Sequence, residues 1–475
     1  MEKKKKFVFP NTATLLLIVV LTMGILTYII PAGQFDREIN EATGREGVVA
    51  GTFHYVEQTP VSIGKIFEAP YWGFLDVVDI IALVFIIGGS MGVVIDSGAI
   101  HAGIGAIARK TGNKGEIILV FLMMAFGAAS TFLGMAEEFI VFTPLLISIA
   151  LSLGFDKLTA IGVLLLGIYG AGGFAIIGPF NTMIAQNVAE VELLSGMGLR
   201  TIGCIGALAI SVHHVISRGN KERRLMQEAT PTKFDKKDGL DKIDEEKIKK
   251  EIIDLQSYRM TKIRALTLVI LLGSIALMAV GVSFFGWWFE HLSAIFFAMA
   301  VMVGMICNRG SLDVTVKIFL KNAATMAEAA ILLALSRAII FVISEGEIID
   351  TIVYAISIPL GELHGIFAAW GIYISQIIVN FFVPSSSGQA MVMMPILTPL
   401  VDLIGLSRQV AVHAFTAADY FGNMIIPTHP TTLACLAIAG ISYDKWFKYV
   451  LPCFLKWSAW VFVILTIGVV TNWAF

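Results

Sequence analysis

Apolar segments long enough to cross a lipid bilayer recur along almost the whole chain. The first, TATLLLIVVLTMGILTYII at residues 12–30, contains no charged side chain, and a spanning helix needs about 20 such residues. Of the 475 residues, 57% are hydrophobic and only 15% are Asp, Glu, Lys or Arg, against roughly 25% charged residues in soluble domains. A water-soluble globule cannot bury this much apolar surface, which excludes a soluble enzyme. The sequence therefore predicts an all-α polytopic membrane protein.

The distribution of charged residues predicts the orientation. Residues 1–6 read MEKKKK, and residues 218–264 carry 14 Lys or Arg and 10 Asp or Glu. The positive-inside rule places both stretches in the cytoplasm. The first apolar run could be a signal peptide, but the PAGQF that follows it lacks a clean cleavage site. We therefore expect a retained first helix, a cytoplasmic N-terminus and a multi-pass topology.

Counting the crossings places the basic segments on one side only if two apolar segments are re-entrant hairpins. These are residues 116–151 and 365–403, each with two apolar arms of about half a membrane thickness around a polar tip. The assignment gives about nine transmembrane helices plus two re-entrant hairpins. Polar, irregular backbone at that depth is tolerated only when protein buries it or when it lines a wet cavity.

The order of these segments repeats with inverted topology. Residues 78–194 and 324–441 each run through a span, a basic or interfacial stretch, a hairpin and a broken span. Such repeats are typical of secondary transporters, whose site lies where discontinuous helices meet near the midplane, although channels also contain them. The predicted regions are an N-terminal helix with an external loop (1–77), a first repeat half (78–217), a cytoplasmic basic linker (218–262), two scaffold helices with an interfacial segment (263–323) and a second repeat half (324–475).

Glu137 and Glu138, in the first hairpin tip GMAEEF, carry the least expected side chains of the first half. An ionised carboxylate at membrane depth is costly unless it is paired or hydrated. Two adjacent carboxylates favour a cation, which could be a substrate ammonium or guanidinium group, Na⁺ or H⁺. Alternatively, Glu138 caps the second hairpin arm, but this does not explain both residues.

The second hairpin tip, PSSSGQ at residues 384–389, has the opposite chemistry. Pro384 starts the turn, and Gly388 permits a close backbone approach. The hydroxyls lie beside the free N–H groups of the following helix, which suits a carboxylate. The alternative is an ordinary serine-rich turn with a helix cap. The candidate residues of this tip are Ser385, Ser386, Ser387, Gly388 and Gln389.

Two helix breaks, IIGPFNT (176–182) and MIIPTHPTT (424–432), supply further polar groups. The candidates in and beside them are Asn181, Thr182, Gln186, Asp419, Asn423, Thr428, His429, Thr431 and Thr432. Unwound carbonyls there could also coordinate Na⁺. Asp419 is a candidate third anion for a dibasic ligand, or a proton carrier. His429 fits a satisfied polar residue better than a proton relay.

Arg337 lies inside the apolar helix EAAILLALSRAIIFVI. An intramembrane arginine can bind a substrate carboxylate, or it can hold the scaffold together through an ion pair. The sequence offers Glu328, Glu345 or a hairpin glutamate as the partner and does not decide between the two roles.

The motifs GMAEEF, GPFNT, NFFVPSSSGQAMVMMP and NMIIPTHPTT together resemble the YfcC-like branch of the anaerobic four-carbon-dicarboxylate carrier family, within the ion-transporter superfamily. The resemblance covers nearly the whole chain. It implies scaffold and transport domains, elevator movement, a homodimer in the bacterial inner membrane, and basic amino acids as substrates. It implies no cofactor beyond a coupling Na⁺ or H⁺, and we expect no nucleic-acid partner.

The leading hypothesis is an arginine/ornithine-type antiporter. Residues 385–389 would bind the α-carboxylate, and Glu137, Glu138 and Asp419 would bind the guanidinium or amine. The second hypothesis is a dicarboxylate transporter of the same fold, with Arg337 as the anion partner and the glutamates as Na⁺ or H⁺ sites. An intramembrane enzyme that uses the glutamates lacks a convincing partner histidine. A passive channel would show conductance instead of saturable exchange.

Overall fold

The computed structural model is largely helical in the residues that it describes, which are 12–40, 45–100, 102–103, 106, 115–133, 136–178, 181–228, 259–285, 287 and 289–473. Within this part of the chain, seven helices are long and apolar enough to cross a membrane. The prediction of an all-α polytopic membrane protein is therefore confirmed. Most of the predicted linker, residues 229–258, lies outside the described part.

The helices are numbered along the chain. Those of the first half are α1 (Thr12–Leu26), α2 (Ile63–Asp76), α3 (Val78–Asp96), α4 (Gly115–Leu133), α5 (Thr143–Ser152), α6 (Lys157–Gly172), α7 (Thr182–Val188) and α8 (Met197–Glu228). Those of the second half are α9 (Lys262–Phe285), α10 (Phe289–Cys307), α11 (Leu312–Ala324), α12 (Ala327–Glu345), α13 (Ile349–Ser357), α14 (Gly365–Phe382), α15 (Ser386–Leu403), α16 (Arg408–Gly422), α17 (Pro430–Ala439) and α18 (Tyr443–Val470). Two 3-10 helices, Glu137–Phe142 and Ile358–Glu362, precede α5 and α14.

Both predicted hairpin tips interrupt helices, but the arms of the second hairpin are longer than expected. Helices α14 and α15 have 18 residues each, which is about 27 Å at 1.5 Å per residue. This is close to the full hydrocarbon thickness, so the prediction of half-thickness arms is wrong for this hairpin. Two internal prolines, Pro395 and Pro399, do not end α15. The number of crossings and the re-entrant character of the hairpins stay predictions.

Both predicted helix breaks are confirmed. Helix α6 ends at Gly172 and α7 begins at Thr182, whereas α16 ends at Gly422 and α17 begins at Pro430. In both places an apolar segment that would otherwise continue as one helix is interrupted by Gly and Pro, which disfavour the helix interior.

The chain divides into two compact units, each assembled from segments far apart in the sequence. The first unit contains Met1–Val77, Gly172–Ala207 and Ile331–Phe475, and the second contains Val78–Ala171 and Leu208–Ala330. Each unit thus takes segments from both repeat halves, and the division into five consecutive regions stays a prediction. The scaffold and transport roles of the regions stay predictions.

Helix α16 lies in the core of the first unit. Every residue from Gln409 to Gly422 is buried, as expected for a helix that is surrounded by protein on all sides. Phe421 stacks on Trp457 of α18 at 4.6 Å between ring centroids, and the Trp457 indole donates to the carbonyl of Ala207 at 3.0 Å. These contacts fix the helix that carries Asp419.

The loop after α1 contains short strands that the apolar pattern does not predict. Strand β1 (Gly33–Gln34) pairs with β4 (His54–Tyr55), and β2 (Arg37–Asn40) pairs with β3 (Arg45–Val48), both antiparallel. Polar strand residues give no hydropathy signal, so only the structure shows these ladders.

In the second unit, α3 packs closely against α11. Gly89 lies against Phe319, and Gly92 lies against Asn322, so that a Cβ atom at either glycine would overlap these side chains. Small residues allow this kind of close helix approach in membrane proteins. The stretch GGSMG at residues 88–92 is therefore explained by packing.

Candidate functional site

The carboxylate of Asp419 is the centre of a buried polar cluster in the first unit. Asp419 is fully buried. Its Oδ2 atom accepts hydrogen bonds from Asn181 Nδ2 and Ser386 Oγ, both at 2.5 Å, and its Oδ1 accepts a longer one from Asn423 Nδ2 at 3.4 Å. Burying a carboxylate is costly unless donors of this kind surround it. The cluster is therefore a specific feature that the fold builds around one charge.

Each donor comes from a different interruption of the helices. Asn181 immediately precedes α7 at the end of the first break, Ser386 is the first residue of α15 at the second hairpin tip, and Asn423 follows α16 at the start of the second break. The structure thus brings four predicted site residues together within one unit: Asn181, Ser386, Asp419 and Asn423.

Asn380 of α14 completes the cluster, and the sequence analysis missed it. Its Nδ2 donates to the backbone carbonyl of Asp419 at 2.9 Å and to Asn423 Oδ1 at 3.0 Å. The same carbonyl accepts a hydrogen bond from Asn423 N at 3.1 Å, so Asn380 adds a second one at the end of α16. The available signal was a single amide within the apolar run IIVNFF, because polar residues at membrane depth tend to be functional.

The serine tip is the first turn of a helix instead of an open loop. Ser385 is the N-cap of α15, and its Oγ accepts a hydrogen bond from Gly388 N at 3.4 Å. Gln389 is buried and donates to the backbone and side-chain oxygens of Gln376 at 3.0 and 3.1 Å. The capped-turn alternative therefore holds for Ser385, while Ser386 faces Asp419 and Ser387 is half-buried.

The unwound carbonyls of the second break already accept hydrogen bonds. The carbonyl of Asn423 accepts one from Thr432 Oγ1 at 3.0 Å, and that of Met424 accepts one from the Trp446 indole at 2.9 Å. The carbonyl of Ile425 accepts one from the Tyr443 hydroxyl. These bonds hold the break in a defined shape, with α18 supplying two of the three donors.

The polar residues at the start of α17 have different roles. His429 is the N-cap, and its Nδ1 accepts from Thr432 N at 3.4 Å, which agrees with the expectation of a satisfied polar residue. Thr428 Oγ1 donates to the carbonyl of Phe381 at 3.0 Å. Thr431, in contrast, is buried, and its Oγ1 has no hydrogen-bond partner among the described residues.

Several other buried side-chain oxygens near the two breaks and the second hairpin also lack hydrogen-bond partners among the described residues. Within the described part of the chain, those without a hydrogen-bond partner are Asn181 Oδ1, Thr182 Oγ1, Asn380 Oδ1 and Gln389 Oε1. An unsatisfied buried polar group costs about 1–3 kcal/mol, and in a native structure it calls for an explanation such as a missing ligand. Amide oxygens can only accept hydrogen bonds, so the arrangement is suited to a cationic donor group or a hard cation.

Glu137 and Glu138 belong to the second unit. They begin the 3-10 helix Glu137–Phe142, four residues after α4 ends. Their side chains lie outside the described part of the structure, so the assignment of these residues as cation ligands stays a prediction.

Arg337 forms an ion pair that the sequence did not suggest. Its Nε atom lies 3.4 Å from Oδ2 of Asp76, the last residue of α2. Glu345, one of the expected partners, pairs with Lys65 instead. Arg337 thus pairs with a carboxylate that was not among the three candidates, because α2 packs beside α12 and supplies Asp76. Arg337 also interacts electrostatically with His429, which places it near the second break.

Comparison with known proteins gives two full-length relatives. A protein of Haemophilus influenzae is 27% identical, with 95% of each chain covered. The candidate basic amino-acid antiporter YfcC of Escherichia coli K12 is 26% identical, with 94% of this chain and 93% of that protein covered.

Two solved structures, both of transporters, are also similar over nearly their whole length. YdaH of Alcanivorax borkumensis has a TM-score of 0.41 and 16% identity, with 98% of this chain and 99% of that chain covered. MtrF of Neisseria gonorrhoeae has a TM-score of 0.40 and 14% identity, with 98% and 96% covered.

The family assignment comes from the sequence as a whole. The family described as DcuC, C4-dicarboxylate anaerobic carrier, matches residues 9–473, which include the breaks, the second hairpin tip and the helix that carries Asp419. The chain therefore belongs to the DcuC family of membrane transporters.

Proposed function

We propose that this transporter exchanges basic amino acids of the arginine/ornithine type across the membrane. The observation that carries the proposal is the buried Asp419 carboxylate, which is surrounded by neutral donors and by elements that bear unpartnered acceptor oxygens. A guanidinium or ammonium group supplies both N–H donors and positive charge, and charge-assisted hydrogen bonds of this kind are strong. The name of the Escherichia coli relative points to the same substrate class.

The proposed site divides into a cationic end and a carboxylate end. Asp419 binds the side-chain cation of the substrate, and Glu137 and Glu138 stay candidate cation ligands of the second unit. The backbone N–H groups in the first turn of α15, at residues 385–389, attract the α-carboxylate, because a helix N-terminus favours negative charge, while the Ser386 side chain of the same turn donates to Asp419. The remaining residues assigned to the lining are Asn181, Thr182, Asn423, Thr428 and Thr431.

The charge balance of the proposed exchange is simple. Arginine and ornithine each carry one net positive charge near neutral pH, so a one-for-one exchange moves no net charge and requires no coupling Na⁺ or H⁺. Alternating access by elevator movement in a homodimer is part of the same proposal.

Counterflow in proteoliposomes tests the role of Asp419. Vesicles loaded with unlabelled arginine take up labelled arginine, and Asp419→Asn should reduce this uptake by about tenfold or more, because a hydrogen bond to a charged group contributes about 1.5–3 kcal/mol. The matched control is Asp313→Asn, since Asp313 is exposed and forms only an i,i+4 ion pair with Lys317. Unchanged counterflow in the folded Asp419→Asn variant would refute the assignment.

A four-carbon dicarboxylate is the second candidate substrate, and the description of the family favours it. In that case Arg337 would bind the anion, and the acidic residues would bind Na⁺ or H⁺. A ligand that binds the folded state raises the melting temperature by mass action. Melting curves of the purified protein with arginine, ornithine, succinate and fumarate therefore separate the two candidates: a shift with succinate or fumarate alone would replace the amino-acid proposal.

A further inference from the structure

Arg200 is a buried cation with no carboxylate partner among the residues that the structure describes. It lies in the first turn of α8 and its side chain is fully inaccessible. The Nη2 atom donates to the carbonyl of Ile176 at 3.1 Å. The Nε and Nη1 atoms have no hydrogen-bond partner among the described residues, and no ion pair involves Arg200 within that part of the chain.

A histidine in the neighbourhood of Arg200 also lacks hydrogen-bond partners among the described residues. His413 of α16 is fully buried, interacts electrostatically with Arg200, and has no partner at either ring nitrogen among the described residues. Its ring packs between Phe174 and Trp473, at centroid distances of 4.8 and 5.1 Å. Arg200 and His413 thus carry N–H groups without hydrogen-bond partners among the described residues, and two aromatic rings flank His413.

Such an arrangement is expensive without an anion. A charge that is buried without a counter-charge destabilises a protein by several kcal/mol. A single neutral donor would be enough to hydrogen-bond the Ile176 carbonyl. This hydrogen bond therefore explains one N–H group of the guanidinium but does not explain why a charged group is buried here. A guanidinium presents its donors in a planar fork that matches a carboxylate.

We propose that Arg200 binds the carboxylate group of the transported substrate. The inference deepens the proposed function, because it adds a charged partner to the neutral donors of residues 385–389 that bind the carboxylate there, and it rests on the proposed function for the identity of the substrate. Arg200 donates a hydrogen bond to the carbonyl of Ile176, at the start of the first break. Asn181, at the end of the same break, donates one to the Asp419 carboxylate. Five residues further along the chain correspond to at most about 18 Å. One break segment therefore connects a buried cation to a buried anion, as a substrate with a carboxylate at one end and a cationic group at the other requires.

The signal was present in the sequence but had a simpler interpretation. Arg200 follows GMGL at the start of a long apolar segment, and a basic residue at a helix end usually anchors the membrane interface. Only its complete burial distinguishes it from such an anchor.

The test compares each amino acid with the amine that lacks its carboxylate. Unlabelled arginine, agmatine, lysine and cadaverine are each added as competitors, and their inhibition of labelled arginine uptake in counterflow gives an apparent affinity. Each compound is also added in melting curves of the purified protein. In Arg200→Gln, the apparent affinity for arginine and lysine should fall by about tenfold to a hundredfold, whereas that for agmatine and cadaverine should stay unchanged. Arg200→Lys keeps the charge without the fork and should keep part of the discrimination. The matched control is Arg224→Gln, an exposed position on the same helix.

The outcomes separate this inference from the proposed function. The inference is overturned if folded Arg200→Gln or Arg200→Lys protein still distinguishes each amino acid from its amine as the wild type does. Arg200 would then have a purely structural role. An equal loss for amino acids and amines overturns it too. If the wild type responds to succinate and to no basic amino acid, the amino-acid proposal fails. In that event, loss of the succinate shift in Arg200→Gln supports the carboxylate assignment, and an unchanged shift refutes it.

Discussion

Asn181 donates a hydrogen bond to Asp419 across 2.5 Å, which joins the end of the first helix break to the helix that leads into the second. The two residues come from different repeat halves, yet both are buried in the same unit. Because a hydrogen bond to a carboxylate is stronger than one between neutral groups, the local geometry of one break depends on that of the other. A ligand that bound Asp419 would therefore affect both breaks.

Exchanging the two side chains should reveal this link. Asn181→Asp alone places a second carboxylate against Asp419, and like charges at hydrogen-bond distance repel strongly. The double variant Asn181→Asp/Asp419→Asn restores one carboxylate and one amide. We expect the melting temperature to fall in Asn181→Asp and to recover in the double variant.

The control for this exchange is Asn187→Asp, a half-buried position of α7. There, adding Asp419→Asn should give the sum of the two single effects, since distant sites are additive. If Asn181→Asp and Asp419→Asn also add without recovery, the direct contact between the two side chains is wrong.

The sequence indicates the helix breaks and their polar residues because these signals are local. Gly and Pro inside apolar runs disfavour continuous helix, and a carboxylate such as Asp419 in an apolar segment is conspicuous. Partner choice is different. Arg337 has several carboxylates within reach along the chain, and its pairing with Asp76 depends on how α2 packs against α12, which no local pattern specifies.

The same distinction applies to the hairpin tip. The motif PSSSGQ shows that a helix starts there, but serine is favoured both in turns and at N-caps. Whether Ser385 caps the helix or stays open to a ligand is decided by the position of α15 relative to α14, where Gln389 is bonded to Gln376.

The packing of α2 against α12 gives a second prediction, at Gly73. A Cβ atom at this position would overlap the backbone of Ala334 and Ala338, and backbone cannot move aside as a flexible side chain can. Gly73→Ala should therefore destabilise the protein by about 1–3 kcal/mol. Gly64→Ala, on the same helix, meets nothing closer than Ser62 Oγ at 3.9 Å and should be neutral or stabilising, since alanine favours helix. Melting curves test the pair, and equal effects would contradict the close contact.

A third prediction concerns acid stability at the start of α16. Arg408 donates to both carboxylate oxygens of Asp402 at 2.7–3.1 Å, and these hydrogen bonds lower the pKa of Asp402. The stabilisation is therefore complete above the pKa of an unfolded aspartate, about 3.9, and is lost as the pH falls through the lower folded value. Asp402 is 45% exposed, so the effect should stay below about 1 kcal/mol.

The variant Asp402→Asn isolates this contribution. Its melting temperature should lie slightly below that of the wild type at pH 5–7, and the difference should shrink as the pH falls below about 4. Asp313→Asn serves as the control, since Asp313 forms an exposed i,i+4 ion pair with Lys317. A difference that grew on acidification would have the wrong sign for a carboxyl group whose pKa is lowered in the folded state.

The last prediction concerns the attachment of the loop after α1. Arg37 Nη2 donates to both carboxylate oxygens of Asp350 at 2.8 and 2.9 Å, and Phe35 N donates to the same carboxylate at 3.0 Å. Asp350 is only 4% exposed, so removing the arginine leaves a nearly buried charge with too few donors. Arg37→Gln should therefore destabilise the protein by about 1–3 kcal/mol.

The double variant Arg37→Gln/Asp350→Asn should be less destabilised than the sum of the two single variants, because neither change then leaves an uncompensated charge. Lys317→Gln, which breaks an exposed pair, should cost less than about 1 kcal/mol. Limited proteolysis measures the attachment of the loop directly. If the ion pair holds the loop, residues 32–60 should be cleaved faster in Arg37→Gln than in Lys317→Gln. Equal cleavage would show that the strands alone hold it.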